Sequence, residues 1–131
     1  MGLKLSWILT LSSLLLRERS INTGKLLSGY RRFCVSIITY MEVYGYEFEN
    51  EEEKELIDRL FEELEVVDID RSIANQTITY RKNKRKKIKL PDAIILATAK
   101  YTGADLVTDD WDDFQGIDDT VIVKDVNDIK A

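Results

Sequence analysis

Histidine is absent from the 131-residue sequence, and cysteine occurs only once, as Cys34. The absence of histidine removes the commonest general base and the commonest zinc ligand. A single cysteine excludes a disulfide within the chain, which favours a reducing compartment such as the cytoplasm. Because there is no Cys/His cluster, any bound metal must be a hard cation held by carboxylates.

Proline also occurs only once, as Pro91, and no stretch is rich in Gly, Ser and Pro. Without such a linker or an internal repeat, residues 1–131 are predicted to form one domain, long enough to bury a core. The composition is 44% hydrophobic and 33% charged, which is typical of a soluble globular protein. The net charge of −5 is uneven, because residues 47–70 and 105–119 are acidic and residues 81–89 are basic.

Short β-branched apolar segments alternate with helical segments along the chain. Strands are predicted at 33–38, 66–69, 104–108 and 120–125, the last at a sheet edge. Helices are predicted at 39–48 with Thr39 as the cap, at 50–65, at 71–83, and from Pro91 to a stop at Gly103. This alternation predicts an α/β fold with three α/β/α layers and a central parallel sheet. In such sheets, ligands bind beyond the carboxyl ends of the strands.

Four acidic residues are expected at that end of the sheet. Glu42 falls in the first turn of the first predicted helix, and Asp92 falls in the first turn of the last. Asp110 follows the third strand, with Asp113 one helical turn further on. Clustered carboxylates raise one another's pKa unless a cation neutralises them, and Mg²⁺ or Mn²⁺ prefers such oxygen ligands. Their convergence predicts metal-assisted hydrolysis of phosphodiester bonds.

Each of these acids also has a purely structural interpretation. Asp92 can be an N-terminal helix residue whose charge suits the helix dipole. Glu42 can be a solvated side chain, and TDDWDDF (108–114) can be an acidic turn that caps a short helix. The order and spacing of the acids, rather than any one of them, favour the metal site.

The basic run RKNKRKKIK (81–89) precedes the helix that carries Asp92. In one interpretation, Lys84, Arg85, Lys86 and Lys87 contact RNA phosphates, which makes binding sensitive to salt. In the other, the run is a solvated helix end whose cations suit the helix dipole. The acidic net charge does not exclude RNA binding, because the positive charge is local.

The chain resembles a PIN domain of the small VapC-type toxin group in three segments. These are VSIITYMEVYGY (35–46), IKLPDAIILATAKYTGADLVTDDWDDF (88–114) and the closing strand. In that family, Thr-x-x-Glu follows the second strand, as Thr39 and Glu42 do here. Pro-Asp-Ala then opens a helix, as in residues 91–93, and Leu-Val-Thr-x-Asp is followed by Asp-Phe, as in residues 106–114. The resemblance covers about residues 33–126.

The resemblance implies an endoribonuclease with a quartet of acids that binds Mg²⁺ or Mn²⁺. The candidate metal-site and catalytic residues are Glu42, Asp92 and Asp110, with Asp113 as an auxiliary metal-site acid. Thr39 and Thr108 are supporting candidates, and Thr108 would orient the site by hydrogen bonding. The family also implies a homodimer in the cytoplasm with no membrane contact, neutralised by a small antitoxin whose tail covers the active site.

One element of the family pattern is missing. The family's first strand ends in Asp-(Ser/Thr)-Asn, and that Asp is the first metal ligand, but no acid precedes Glu18 here. The corresponding run, LSWILTLSSLLL (5–16), is too short to span a membrane, and no small-x-small cleavage site follows it to support a secretory signal. Residues 3–9 can still form a strand. With a trio of acids in place of a quartet, we expect weak or absent nuclease activity, and the rival hypothesis is a PIN-like module that binds antitoxin or RNA without cleavage.

The genetic code offers an explanation for the missing acid. Trp is always TGG and Ile always begins with AT, so the frame starting on third codon bases reads GAT, an Asp codon, across Trp7 and Ile8. The following triplets permit Ser or Thr, then Asn, then Thr, then three Ile residues. We therefore predict a compensated frameshift over about residues 5–20, which resequencing the gene tests. An unambiguous frame with no nearby Asp-Ser-Asn-Thr reading refutes the prediction.

Overall fold

The computed structural model describes residues 6–10 and 32–126, which form five strands and five helices. The strands are β1 (Ser6–Leu9), β2 (Arg32–Ser36), β3 (Glu65–Val67), β4 (Asp105–Thr108) and β5 (Val123–Asp125). The helices are α1 (Ile37–Tyr44), α2 (Glu51–Glu63), α3 (Arg71–Arg81), α4 (Leu90–Thr102) and α5 (Trp111–Phe114). Residues 3–5 of the predicted first strand, and residues 11–20 of the proposed frameshift, lie outside the described ranges.

All five strands pair in parallel, in the order β3-β2-β1-β4-β5. The chain therefore builds the sheet outward from β1 to β3 and then returns to the other side of β1 for β4 and β5. The direction of winding reverses between β1 and β4, and this kind of switch point leaves a crevice at the carboxyl ends of the strands. The predicted parallel sheet is confirmed, and β5 lies at an edge as expected.

The side chains of β1 separate the core into two layers. Ile8 packs in a cluster that includes Leu96 of α4, whereas its neighbours Trp7 and Leu9 pack on the opposite face with Leu64, next to α2. Successive residues of a strand point to opposite faces, so an apolar β1 buries side chains on both sides. Helices cover both faces of the sheet, which confirms the predicted α/β/α layering.

Helix α4 is the most buried helix of the described structure, as its small apolar sequence predicts. Every residue from 93 to 99 is buried. Three of these are alanines, whose short side chains let the helix backbone lie close to the sheet and to α3. The helix thus carries its first turn, including Asp92, to a fixed position at the end of the sheet.

Helix α1 begins earlier than the sequence analysis predicted. Strand β2 ends at Ser36, whose Oγ accepts a hydrogen bond of 3.2 Å from the Ile38 backbone N–H. Ser36 is therefore the cap, and the prediction that Thr39 caps the helix is wrong. Because the helix starts at Ile37, Glu42 lies in its second turn rather than in its first. The same revision shortens the predicted strand at 33–38.

No helix within residues 32–126 has both the length and the apolarity required to cross a bilayer. Helix α4 ends at Gly103, which adopts the left-handed conformation with φ 71°. The turn redirects the chain into β4, so Gly103 connects the helix that carries Asp92 to the strand that leads to Asp110.

We expect Gly103→Ala to lower the free energy of unfolding by about 1 kcal/mol, because a Cβ atom disfavours the left-handed conformation. Gly103→Asn is the matched control, because asparagine tolerates this conformation better than alanine. Urea unfolding of the three proteins measures both effects. Equal stability of the Ala variant and the parent protein would contradict the assignment of this turn.

Candidate active site

Two threonines meet at the switch point of the sheet. Leu9 pairs with Val107, so Thr10 and Thr108 lie side by side at the carboxyl ends of β1 and β4. The Thr10 hydroxyl donates a hydrogen bond of 3.3 Å to Thr108 Oγ1, and both residues are buried. The end of β1, where the family resemblance implies an acid, therefore carries a neutral hydroxyl.

The segment after β4 holds two of the candidate acids. Asp110 precedes α5, but its side chain makes no capping hydrogen bond to that helix. Its backbone N–H donates to Thr108 Oγ1 at 3.0 Å, and its carbonyl accepts from the Asp113 N–H at 3.0 Å. Thr108 therefore orients the backbone of the acidic segment. The Asp110 carboxylate therefore does not cap the helix that follows it.

The electrostatics of Asp92 link all four candidate acids. Its pKa is raised first by burial of the carboxyl group and then by the charge of Asp113, with smaller contributions from Asp110 and Glu42. Lys89 acts in the opposite direction. Asp92 lies in the first turn of α4, as predicted. The charges that raise the pKa of Asp92 therefore come from α1 and from the segment around α5, so these acids lie within electrostatic range of Asp92.

Glu42 and Asp110 are also held in environments that disfavour their charged forms. Partial burial raises the pKa of Glu42. Burial raises the pKa of Asp110 as well, followed by the charges of Asp109 and Asp113. Among the described residues, none of the four candidate acids forms a salt bridge. Carboxyl groups with raised pKa values that lie near other acids are a common feature of functional sites.

The donor chemistry suits a hydrated hard cation. Within the described ranges, no three Asp, Glu or Cys side chains lie close enough to surround a metal ion. Mg²⁺, however, is usually held by one or two carboxylates and keeps several of its waters. The Thr39 hydroxyl is fully buried and has no hydrogen-bond partner in the described structure, so it retains capacity to bind a water or a ligand. These residues fit a cation bound largely through water.

Helix α1, which carries Glu42, is fastened to α2 by aromatic packing and a hydrogen bond. The Tyr44 hydroxyl donates to Asp58 Oδ1 at 2.6 Å, and the Tyr44 ring packs edge-on against Phe61 at a centroid distance of 5.3 Å. Lys54 also contacts Asp58, at 2.9 Å. These contacts hold α1 against α2 and therefore fix the position of Glu42 relative to the end of the sheet.

The four basic candidates of the run at 81–89 do not share one environment. Lys84, Arg85 and Lys87 are exposed. Lys86 is half-buried, and its Nζ donates to the backbone carbonyls of Asp112 and Gln115. Lys86 thus makes contacts within the protein, whereas the other three side chains face solvent.

Sequence reasoning missed the structural roles of three residues that shape this site. Ser36 follows a β-branched run and precedes apolar residues, so the preference of serine for helix caps was an available signal. Thr10 and Lys86 carried no such signal, because their roles depend on strand order and on a contact across 26 residues of chain. Both follow from tertiary structure alone.

Comparison with known proteins agrees with this architecture. The sequence matches the PIN domain family over residues 11–119, and the chain belongs to that family. No curated protein matches the full sequence significantly.

Several solved structures share the fold. A structure of DNA-bound VapBC from Salmonella typhimurium has a TM-score of 0.77 and 23% identity, covering 92% of this chain and 98% of that one. VapBC-1 from nontypeable Haemophilus influenzae gives a TM-score of 0.75 and 20% identity, covering 93% and 98%. A toxin–antitoxin complex from Klebsiella pneumoniae gives 0.67 and 29% identity, covering 88% and 94%.

The raised pKa of Asp92 predicts a stabilising substitution. The folded state holds the Asp92 proton more tightly than the unfolded chain, so stability falls as the pH rises from the unfolded pKa through the folded one. We expect Asp92→Asn to raise Tm near pH 7 by about 2–5 °C. The gain should disappear near pH 3, because the carboxyl group is then protonated in both states.

Thermal unfolding across this pH range measures the difference. Asp112→Asn is the control, because Asp112 is an exposed acid of the same segment and should give no such gain. A lower Tm for Asp92→Asn at neutral pH would mean that a favourable partner holds the Asp92 charge.

Proposed function

We propose that this protein is a metal-dependent endoribonuclease and the toxin of a toxin–antitoxin pair. The observation that carries the proposal is that the charges of Asp113, Asp110 and Glu42 all raise the pKa of Asp92, which lies in the first turn of α4 in a PIN-domain fold. Uncompensated carboxylates need a cation, and a cation held by carboxylates suits hydrolysis of a phosphodiester.

Asp92 and Asp110 are the residues that would hold Mg²⁺ or Mn²⁺ directly. Glu42 and Asp113 would act through waters of that ion, since no described trio of acids closes around one point. When bound, a divalent ion supplies the positive charge that activates water and neutralises the phosphate. Thr108 keeps the backbone of Asp110 in place by its hydrogen bond of 3.0 Å.

The exposed cations Lys84, Arg85 and Lys87 support RNA as the substrate. They precede α4, whose first turn carries Asp92, so an RNA backbone bound along them would extend toward the acids. Each phosphate contact of this kind adds affinity that decreases with salt concentration. The basic run therefore offsets the repulsion between acidic residues and a polyanion.

A protein antitoxin is the proposed partner. The structures of similar fold include VapBC assemblies and a toxin–antitoxin complex from Klebsiella pneumoniae, the latter at 29% identity. A homodimer in the cytoplasm belongs to the same proposal. In this role, the antitoxin would cover the acidic end of the sheet.

The pair Thr10–Thr108 favours a second candidate function. The buried hydroxyls at the switch point carry no charge, so among the residues that the structure describes the site has one ligand fewer than the family resemblance implies. A PIN-like module that binds RNA or antitoxin without cleavage is therefore the alternative. For the leading proposal, the same pair predicts slow catalysis rather than none.

We expect slow cleavage of a panel of structured RNAs with Mn²⁺ or Mg²⁺, and loss of cleavage with EDTA. Asp92→Asn should reduce the rate about 100-fold or more, because it removes a charge that holds the ion. Gel analysis of end-labelled RNA measures the rate. RNA binding without cleavage under all conditions would favour the binding module, and cleavage unaffected by EDTA or by Asp92→Asn would contradict the proposal.

The same assay tests why the activity is slow. Thr10→Asp introduces an acid at the switch point and should accelerate Mn²⁺-dependent cleavage at least about tenfold. Thr10→Asn is the matched control, since it has the same size but no charge and should give no gain. If both variants fold and neither increases the rate, the identity of residue 10 does not limit catalysis.

A further inference from the structure

We propose that Lys86 is a positioning residue, which holds the segment carrying Asp110 and Asp113 against the loop that leads into the Asp92 helix. The effect of Lys86 on catalysis rests on the proposed function, whereas its hydrogen bonds do not depend on that proposal. In this interpretation, Lys86 is separated from the three RNA-facing cations of the same run.

The contact is made by the Lys86 ammonium group and the end of α5. Its Nζ donates to the carbonyl of Gln115 at 2.6 Å and also to the carbonyl of Asp112. The last carbonyls of a helix have no partner within the helix, and they carry partial negative charge. A lysine side chain with three donors can satisfy two of them at once. The half-buried position of Lys86 is consistent with this engagement.

The loop that carries Lys86 is itself fixed. At its base, Arg81 Nη1 donates to the carbonyl of Ile88 at 2.8 Å, and Ile88 is buried in the core. Inside the loop, the Arg85 backbone N–H donates to Asn83 Oδ1 at 2.8 Å. Lys86 therefore starts from an ordered backbone, so the contact restricts one side chain rather than a whole segment.

The acidic segment also has anchors on the sheet and in the core. Asp110 is bound to Thr108 of β4, and Trp111 Nε1 donates to the carbonyl of Val123 in β5 at 3.1 Å. Phe114 is buried in the core. The first two contacts tie the segment to the sheet, and Phe114 packs in a cluster that also contains residues of α4. Lys86 adds a polar contact with the loop just before α4, and so it helps to set the separation of Asp113 from Asp92.

The consequence is a division of roles within one basic run. Lys86 neutralises helix-end carbonyls and fixes the acids, whereas Lys84, Arg85 and Lys87 remain exposed for a polyanion. Removing Lys86 should therefore loosen the acidic segment without weakening RNA affinity. Removing Lys84 should weaken RNA affinity without loosening the acidic segment.

Hydrogen exchange followed by mass spectrometry tests the contact directly. In Lys86→Met, we expect amides of the peptide covering residues 110–116 to exchange about tenfold faster, because two hydrogen bonds from a charged donor are lost. Lys84→Met is the control, matched in charge and loop, and should exchange like the parent protein. Lys86→Arg should restore most of the protection, since a guanidinium group can also bridge two carbonyls.

Kinetics and RNA binding then separate positioning from substrate contact. Lys86→Met should lower kcat for RNA cleavage about tenfold with KM unchanged, and Lys86→Arg should recover it. Unchanged exchange in Lys86→Met, or a loss of RNA affinity equal to that of Lys84→Met, overturns the proposal. If exchange accelerates as expected but no variant or parent protein cleaves RNA, the positioning role stands and the proposed nuclease function fails.

Discussion

The parallel pairing of β1 with β4 is the constraint on which the rest of the structure depends. It joins the two halves of the sheet at the point where the winding direction reverses, and it aligns Leu9 with Val107. The beginning of the segment that follows β4 is thereby placed next to the end of β1. The hydrogen bond between Thr10 and Thr108 closes this junction with hydroxyl groups, where a charged residue would instead require a counterion.

The buried helix α4 and this junction together hold several acids near one another, which is electrostatically unfavourable. Core packing of α4 fixes Asp92, and the continuation of β4 fixes Asp110 and Asp113. Burial and mutual repulsion raise the pKa of Asp92, so the folded chain holds its charge at a cost in stability. A ligand that binds the charged carboxylates would offset this loss of stability. A divalent cation is a ligand that carboxylates suit.

The sequence predicted those parts of the fold that local chemistry determines. Pro91, the run of small apolar residues after it and Gly103 define α4 at both ends, and the predicted burial of that helix is confirmed. Strand order and the Lys86 contact could not be predicted from the sequence, because both depend on residues that are distant in the chain. The error at α1 had a local origin, since Ser36 and Thr39 are both residues that cap helices and the sequence alone did not determine where β2 ends.

The proposed frameshift remains a prediction, and the sheet register adds a condition to it. Trp7 and Ile8 lie within β1, whereas Thr10 is the residue at the sheet end. An Asp encoded across Trp7 and Ile8 would reach that end only if β1 moved by two residues or so along β4. A shift of two residues keeps each side chain on its own face of the sheet, so such a strand could still bury its apolar residues.

The central claim is that acids from separate elements share one divalent cation at the end of the sheet. Anomalous diffraction from a crystal of this protein soaked in Mn²⁺ tests it most directly. We expect one strong peak between the carboxylates of Asp92 and Asp110, absent from crystals of Asp92→Asn. No peak at that end of the sheet, or a peak that persists in the variant, would contradict it.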